Sequence, residues 1–263
     1  MENPPLPTLA FEGRLARLVL RDAARRNALD VAALRRLHEL LAEVRRADPD
    51  TLVLMGEGSV FCAGFDLSMC ADEPVRTREL LDGLAACVAA LRALDMPVVA
   101  RVQGAALAGG CALLTACDFV VVAADALVGY PVHRIGISPA VSATTLFSRM
   151  GPRARELMML SEPVDGRRAL AMGLATHCVE AAALDAEVET LVARLLAKGP
   201  QAMRATKRWM RAIEERDAGE LGPAVGRDAD SMRRTLAASN ALVDGEEFAT
   251  MLRAFWSTRA KGR

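Results

Sequence analysis

Two glycine turns carry the chemistry that this sequence offers. The first lies in ARVQGAALAGGCALLTACD, Ala100 to Asp118, where a β-branched strand runs through glycine and small residues straight into an apolar helix. Backbone N–H groups at such a helix start have no intrahelical acceptor, and glycine lets a ligand come close to them. The second turn, Ala63-Gly64, lies in VFCAGFDL, Val60 to Leu67, after another strand. Together they can supply two N–H donors to one oxygen, which is what a developing oxyanion requires. Taken singly, Gly109-Gly110 reads as close helix packing and Ala63-Gly64 as an ordinary turn.

A sheet and helices must position these turns. Leu15 to Leu20, Thr51 to Met55, Val98 to Val102 and Phe119 to Ala123 have strand patterning. Asp30 is a suitable N-cap for a helix whose Leu34, Leu37, Leu41 and Val44 share one face. The alternation predicts a βαβ series around a mostly parallel sheet. Beyond about Ala140 the strand signal fades, and helices are predicted from Val141, Arg153, Gly166, Leu184, Pro200, Gly222 and Asp244. Pro200 suits a first helical position, and Asp244 with Glu247 forms a capping box. The expected organisation is an α/β core over residues 1–195 and a helical region over 196–263, in one continuous unit.

Composition narrows the function classes. The 263 residues are 52% hydrophobic but only 4% aromatic, so the core must be mostly Ala, Leu and Val. Thirty-three basic residues balance 33 acidic ones, so nothing global recruits nucleic acid or membrane. MENPPLPTLA lacks the features of a signal peptide and no apolar run is long enough to span a bilayer, so a cytoplasmic location is expected. The six cysteines contain no CxxC pair and read as reduced core thiols. Three histidines without ligand-like spacing give no metal site.

The paired turns, in this order, resemble the oxyanion-hole motifs of the enoyl-CoA hydratase/isomerase family, the crotonases. The resemblance puts the first donor at Phe65, after the glycine of CAGFD, and the second at Gly109 in QGAALAGGC. Gln103 stands for the usual Asn, and Ala108 for the first of three glycines. RRNALD, Arg25 to Asp30, and MGLA, Met172 to Ala175, extend the match over nearly the whole chain. It implies an α/β fold, a crotonase-like ββα spiral core with a C-terminal all-helical trimerisation region. It also implies a homotrimer, or a hexamer as a dimer of trimers. The implied substrate is an acyl-CoA thioester, with no cofactor beyond the coenzyme A it carries. Substrate contacts carry over to Ala63, Asp66 and Leu67, a basic position near the CoA phosphates to Arg26, and a basic tail to Arg259 and Lys261. The Phe65 side chain would wall the acyl pocket.

The sequence departs from the family at the carboxylates. Hydratases place one glutamate three positions after the second oxyanion glycine and another in a P-E-x-x-x-G stretch; Ala112 and Val132 occupy those positions here. Water addition needs one group to take a proton from water and another to protonate the α-carbon. Single-base isomerases commonly use the second position, so Val132 counts against them too. Nearby, YPVHRIGISPA brings Tyr130 and His133 to the expected pocket rim. His133 has a suitable ordinary pKa, but beside Val132 in an extended segment it would face the other way, in a structural role. Ala140 replaces an aspartate of some relatives, and Ser138, Ser142, Thr144 and Thr145 lack an evident activating base. Asp72 or Glu73 could reach the acyl group from the Ser68 to Arg78 loop, and Asp118 reads as tying the helix end to the next strand. Two main readings stand. One is a lyase or isomerase with an atypical site, for which decarboxylation of a malonyl-type thioester asks least of the side chains. The other is a non-catalytic acyl-CoA-binding protein. A serine hydrolase is disfavoured because no Ser/His/Asp set lies at the motifs.

Overall fold

The apolar runs assemble as β1 (Thr8–Glu12), β2 (Leu15–Leu20), β3 (Thr51–Gly56), β4 (Val98–Val102), β5 (Ala105–Leu107), β6 (Phe119–Ala123), β7 (Leu127–Gly129) and β8 (His177–Val179). The computed structural model describes residues 5–67, 74–219, 246, 247, 250 and 251. A six-stranded sheet runs β1-β2-β3-β4-β6-β8, and β5 pairs with β7 apart from it. β1 is antiparallel to β2; every other pairing is parallel. β3 and β4 are buried at nearly every position. That is why they read as continuous apolar runs rather than as an alternation.

The helices are α1 (Val31–Ala47), α2 (Pro74–Arg92), α3 (Gly109–Thr115), α4 (Ala143–Met150), α5 (Ala154–Leu160), α6 (Gly166–Met172), α7 (Leu184–Leu196) and α8 (Pro200–Gly219). Asp30 caps α1, its carboxylate accepting Ala33 N–H at 2.7 Å. Leu34, Leu37, Leu41 and Val44 all face the core. Gly83 of α2 lies against Leu34, where a Cβ would come within 3.2 Å of the leucine side chain, so α1 and α2 pack closely. Asp118 accepts Val98 N–H at 2.7 Å and so ties the end of α3 back to the start of β4, not forward to β6 as expected.

Strand structure does not end at Ala140: β8 completes the sheet edge beside β6. With three half-buried residues it leaves no periodic signal. The helices expected from Val141 and Arg153 begin as 3-10 turns, Ala140–Ser142 and Gly151–Arg153, before becoming α-helical. The residues divide into two compact units, Met1–Ala193 and Arg194–Arg263. Within the second, Glu247 accepts the N–H groups of Gln201 and Ala202, both at 3.0 Å, at the first turn of α8. Asp244 and the helix expected from Gly222 lie outside the described residues. Among those described, no helix is long and apolar enough to cross a membrane.

Candidate active site

The site is built on three segments laid side by side. Cys62 bridges to Ala106 of β5, with Cys62 N–H donating to Ala105 O and Leu107 N–H to Cys62 O, each at 3.0 Å. On its other side the same segment meets RRNALD, where Ala63 N–H donates to Arg26 O at 3.0 Å and Phe65 bridges to Leu29. Arg26 and Asn27 both have positive φ, 53° and 55°. Such a turn persists only if its surroundings hold it, and buried Asn27 does so. Its Oδ1 accepts Asp22 N–H at 2.7 Å, and its Nδ2 is shared among the carbonyls of Glu57, Val60 and Phe61.

This frame fixes where the two donors point. Gly64 O accepts Leu29 N–H at 2.7 Å. In a trans peptide the C=O and the following N–H point opposite ways, so Phe65 N–H is directed away from Leu29. Ala108 O accepts Ala112 N–H at 2.9 Å as the first turn of α3 forms, which by the same geometry sends Gly109 N–H out of the helix start. The turns are neighbours: a Cβ on Gly64 would sit 3.7 Å from Gly109 N and 3.1 Å from Leu107 O. With φ +100°, Gly64 suits only glycine. Gly110 is equally constrained, since its Cβ would fall 2.6 Å from Cys62 O. Ala108 occupies a region that favours glycine, φ 48° and ψ −111°, at a strain cost of about 1–3 kcal/mol.

Both donor residues line a cavity of about 160 Å³, room for roughly six carbon atoms. Its walls are almost wholly apolar, with Leu81 and Leu84 of α2 on one side and Ile135, Ile137 and Val141 on another. Ala63, Leu67, Ala112 and Val132 line it as well, and so does the Phe65 side chain. Tyr130, Ser138 and Ser142 are the only polar residues among its described lining, and no carboxylate or histidine is among them. Tyr130 is buried, and its hydroxyl faces Ser142 and Cys111 without making a hydrogen bond of normal geometry to either. Lying beside Ser142 and Cys111, it is pushed well above the ordinary phenol pKa by desolvation. A neutral phenol of this kind donates a hydrogen bond but does not serve as a base.

The remaining expected residues are spread around this cavity. His133 is exposed, outside the lining, and stands in a 3-10 turn, His133–Ile135, rather than an extended segment. The Val132 carbonyl there accepts both Ile135 and Ile137 N–H, which curls the chain. Arg26 is exposed and reaches the site through its main-chain carbonyl. The Asp66 carboxylate turns to Arg25 at 2.7 Å rather than to the cavity. Cys62, Cys87 and Cys111 are buried thiols pushed up to about 12 by desolvation. Asp72, Glu73, Arg259 and Lys261 lie outside the described residues, and among those described no group of three His, Cys, Asp or Glu could hold a metal ion. The structural weight of Asn27 and Arg25 was not expected; the signal available was their place in RRNALD, a motif with two cations before a helix cap.

Comparison with known proteins places this architecture. Residues 10–227 match the enoyl-CoA hydratase/isomerase family. A crotonyl-CoA hydratase of Syntrophomonas wolfei is 31% identical over 205 residues, covering 76% of this chain and 78% of that protein. The solved structure of AtuE from Pseudomonas aeruginosa superposes with a TM-score of 0.85 at 30% identity, covering 96% of each chain. An enoyl-CoA hydratase structure from Shewanella pealeana shares the fold, with a TM-score of 0.85 at 24% identity over 96% of this chain and 93% of that one. With the paired glycine turns, the bridge between them and a family match over most of its length, the chain belongs to the enoyl-CoA hydratase/isomerase (crotonase) family.

Proposed function

We propose that this protein binds an acyl-CoA thioester with its carbonyl oxygen between the N–H groups of Phe65 and Gly109, and stabilises the enolate form of that thioester without the usual hydration machinery. Ala63 and Leu67 would line the path of the thioester arm, and Arg26 would meet the CoA phosphates. The observation that carries this reading is the contrast inside one cavity. Two directed N–H groups open onto walls that include Ala112 and Val132, the positions to which the family resemblance would assign the carboxylates of hydration.

Decarboxylation of a malonyl-type thioester is the reaction that suits such walls. The bond from the α-carbon to the carboxylate breaks, its electron pair passes into the enolate, carbon dioxide leaves, and the α-carbon then takes a proton. An apolar wall disfavours the starting carboxylate relative to water, while the charge moves to the oxygen held by the two donors. The same bare walls support a second reading, an acyl-CoA-binding protein without turnover, because donors that hold an enolate also hold a ground-state carbonyl.

A panel of crotonyl-, malonyl- and methylmalonyl-CoA distinguishes these readings by turnover, with calorimetry on each ester and its free acid. CoA esters should bind far more tightly than the acids; equal affinity sinks the assignment. Assembly as a trimer or hexamer belongs to the same proposal, supported by exposed Met210 and Ile213 on α8. A particle that stays monomeric in light scattering at all concentrations contradicts it.

A further inference from the structure

Arg25 stands where three carboxylates meet. Its Nε donates to Asp22 at 2.6 Å, Nη1 to Asp66 at 2.7 Å and Nη2 to Asp30 at 3.1 Å. Each acid belongs to a different part of the frame. Asp22 is buried and accepts Arg25 N–H at 3.2 Å at the start of the RRNALD turn. Asp30 caps α1. Asp66 follows Phe65 directly, and its N–H donates to Leu29 O at 3.0 Å. A planar guanidinium with a fixed fork of donors can join three such groups at once; an ammonium presents a point charge instead.

We propose that Arg25 is a positioning residue for the Phe65 donor. Leu29 fixes the peptide on both sides of Phe65, and Arg25 fixes the next side chain, so the direction of Phe65 N–H depends on the clamp. The guanidinium also offsets the Asp66 carboxylate, one residue from the place where negative charge develops on the thioester oxygen. Without it, three like charges face one another across the distance that one guanidinium now spans. Their repulsion acts on the residue next to the donor. The proposal rests on the reading of Phe65 and Gly109 as the oxyanion hole.

The test uses the full chain and two probes: a 2,4-dienoyl-CoA, whose ultraviolet absorption moves to longer wavelength as its carbonyl is polarised, and a CoA thioether of equal chain length without a carbonyl. The native protein should red-shift the bound dienoyl-CoA. Arg25→Met should lose at least half of that shift and bind the dienoyl-CoA roughly 10-fold more weakly, a fraction of the effect of deleting an oxyanion donor. Thioether affinity should change less than about twofold. Arg25→Lys, which keeps the charge and should fold even if Arg25→Met does not, should restore only part of the shift. Full shift in either folded variant overturns the proposal, and so does equal weakening of thioester and thioether, which would show a merely structural role. No shift in the native protein overturns the oxyanion-hole reading itself, and the clamp with it.

Discussion

The two sides of the cavity are built on opposite principles. On the donor side almost every polar group is tied down: Asn27 collects carbonyls from the 57–61 loop, Leu29 holds both neighbours of Phe65, and Arg25 joins Asp22, Asp30 and Asp66. On the acyl side, Ala112, Val132, Ile135 and Ile137 offer only apolar surface, and the Tyr130 hydroxyl makes no hydrogen bond of normal geometry. Donors made of backbone need no particular side chain, only a chain path. Proton transfer needs a particular side chain at a particular place. The proposed function rests on this contrast: the donor side would polarise a thioester, and the described lining of the acyl side holds no carboxylate or histidine that would move a proton.

Restoring the missing side is the strongest way to test the contrast. Ala112→Glu together with Val132→Glu should raise crotonyl-CoA hydration by about 100-fold or more over a very slow native rate, because each positioned acid or base contributes on the order of 100- to 10,000-fold. Neither single change should suffice, since water activation and protonation are separate tasks. Thermal melting must first show that the variant folds, as two carboxylates among apolar neighbours cost stability. Brisk native hydration that survives His133→Ala would show that another acid and base serve the site.

Breaking the donor side should be costly in stability. Gly110→Ala forces a Cβ to 2.6 Å from Cys62 O and 2.8 Å from Cys62 Cβ, with an expected loss of at least about 3 kcal/mol in denaturant unfolding. Asn27→Ala removes the acceptor of Asp22 N–H and the donors to the 57–61 carbonyls. It should cost about 2 kcal/mol and weaken thioester binding more than thioether binding. Unchanged melting of the Asn27 variant would mean that the donor frame is not over-determined.

The same division explains what the sequence made legible. The strands around Leu52 and Val99 and the capped helix after Asp30 were readable because burial on both faces, or on one stripe, writes itself as apolar pattern. The glycine turns were readable because the positive φ of Gly64 and the close approach at Gly110 are backbone requirements stated in residue types. β8, three residues long, and the curl at His133–Ile135 were not, because their hydrogen bonds are set by tertiary neighbours rather than by a repeating pattern. Arg25 was legible as a residue but not as a clamp, since its partners Asp22, Asp30 and Asp66 come together only when the 62–66 segment folds back onto RRNALD.

The smallest effect is expected on the acyl side, at Tyr130. Removing a buried hydroxyl normally costs stability because its partner is left unpaired. Here the hydroxyl makes no hydrogen bond of normal geometry, so its removal strands little, and its burial away from water is itself unfavourable to the native state. Tyr130→Phe keeps the ring that lines the cavity and deletes only the hydroxyl. Unfolding should therefore shift by no more than about 1 kcal/mol, toward greater stability. A thermal melt reads the sign directly. A clear loss of stability would mean that Ser142 or Cys111 pairs with the hydroxyl in solution, and the acyl side would then be a satisfied polar network rather than a bare wall.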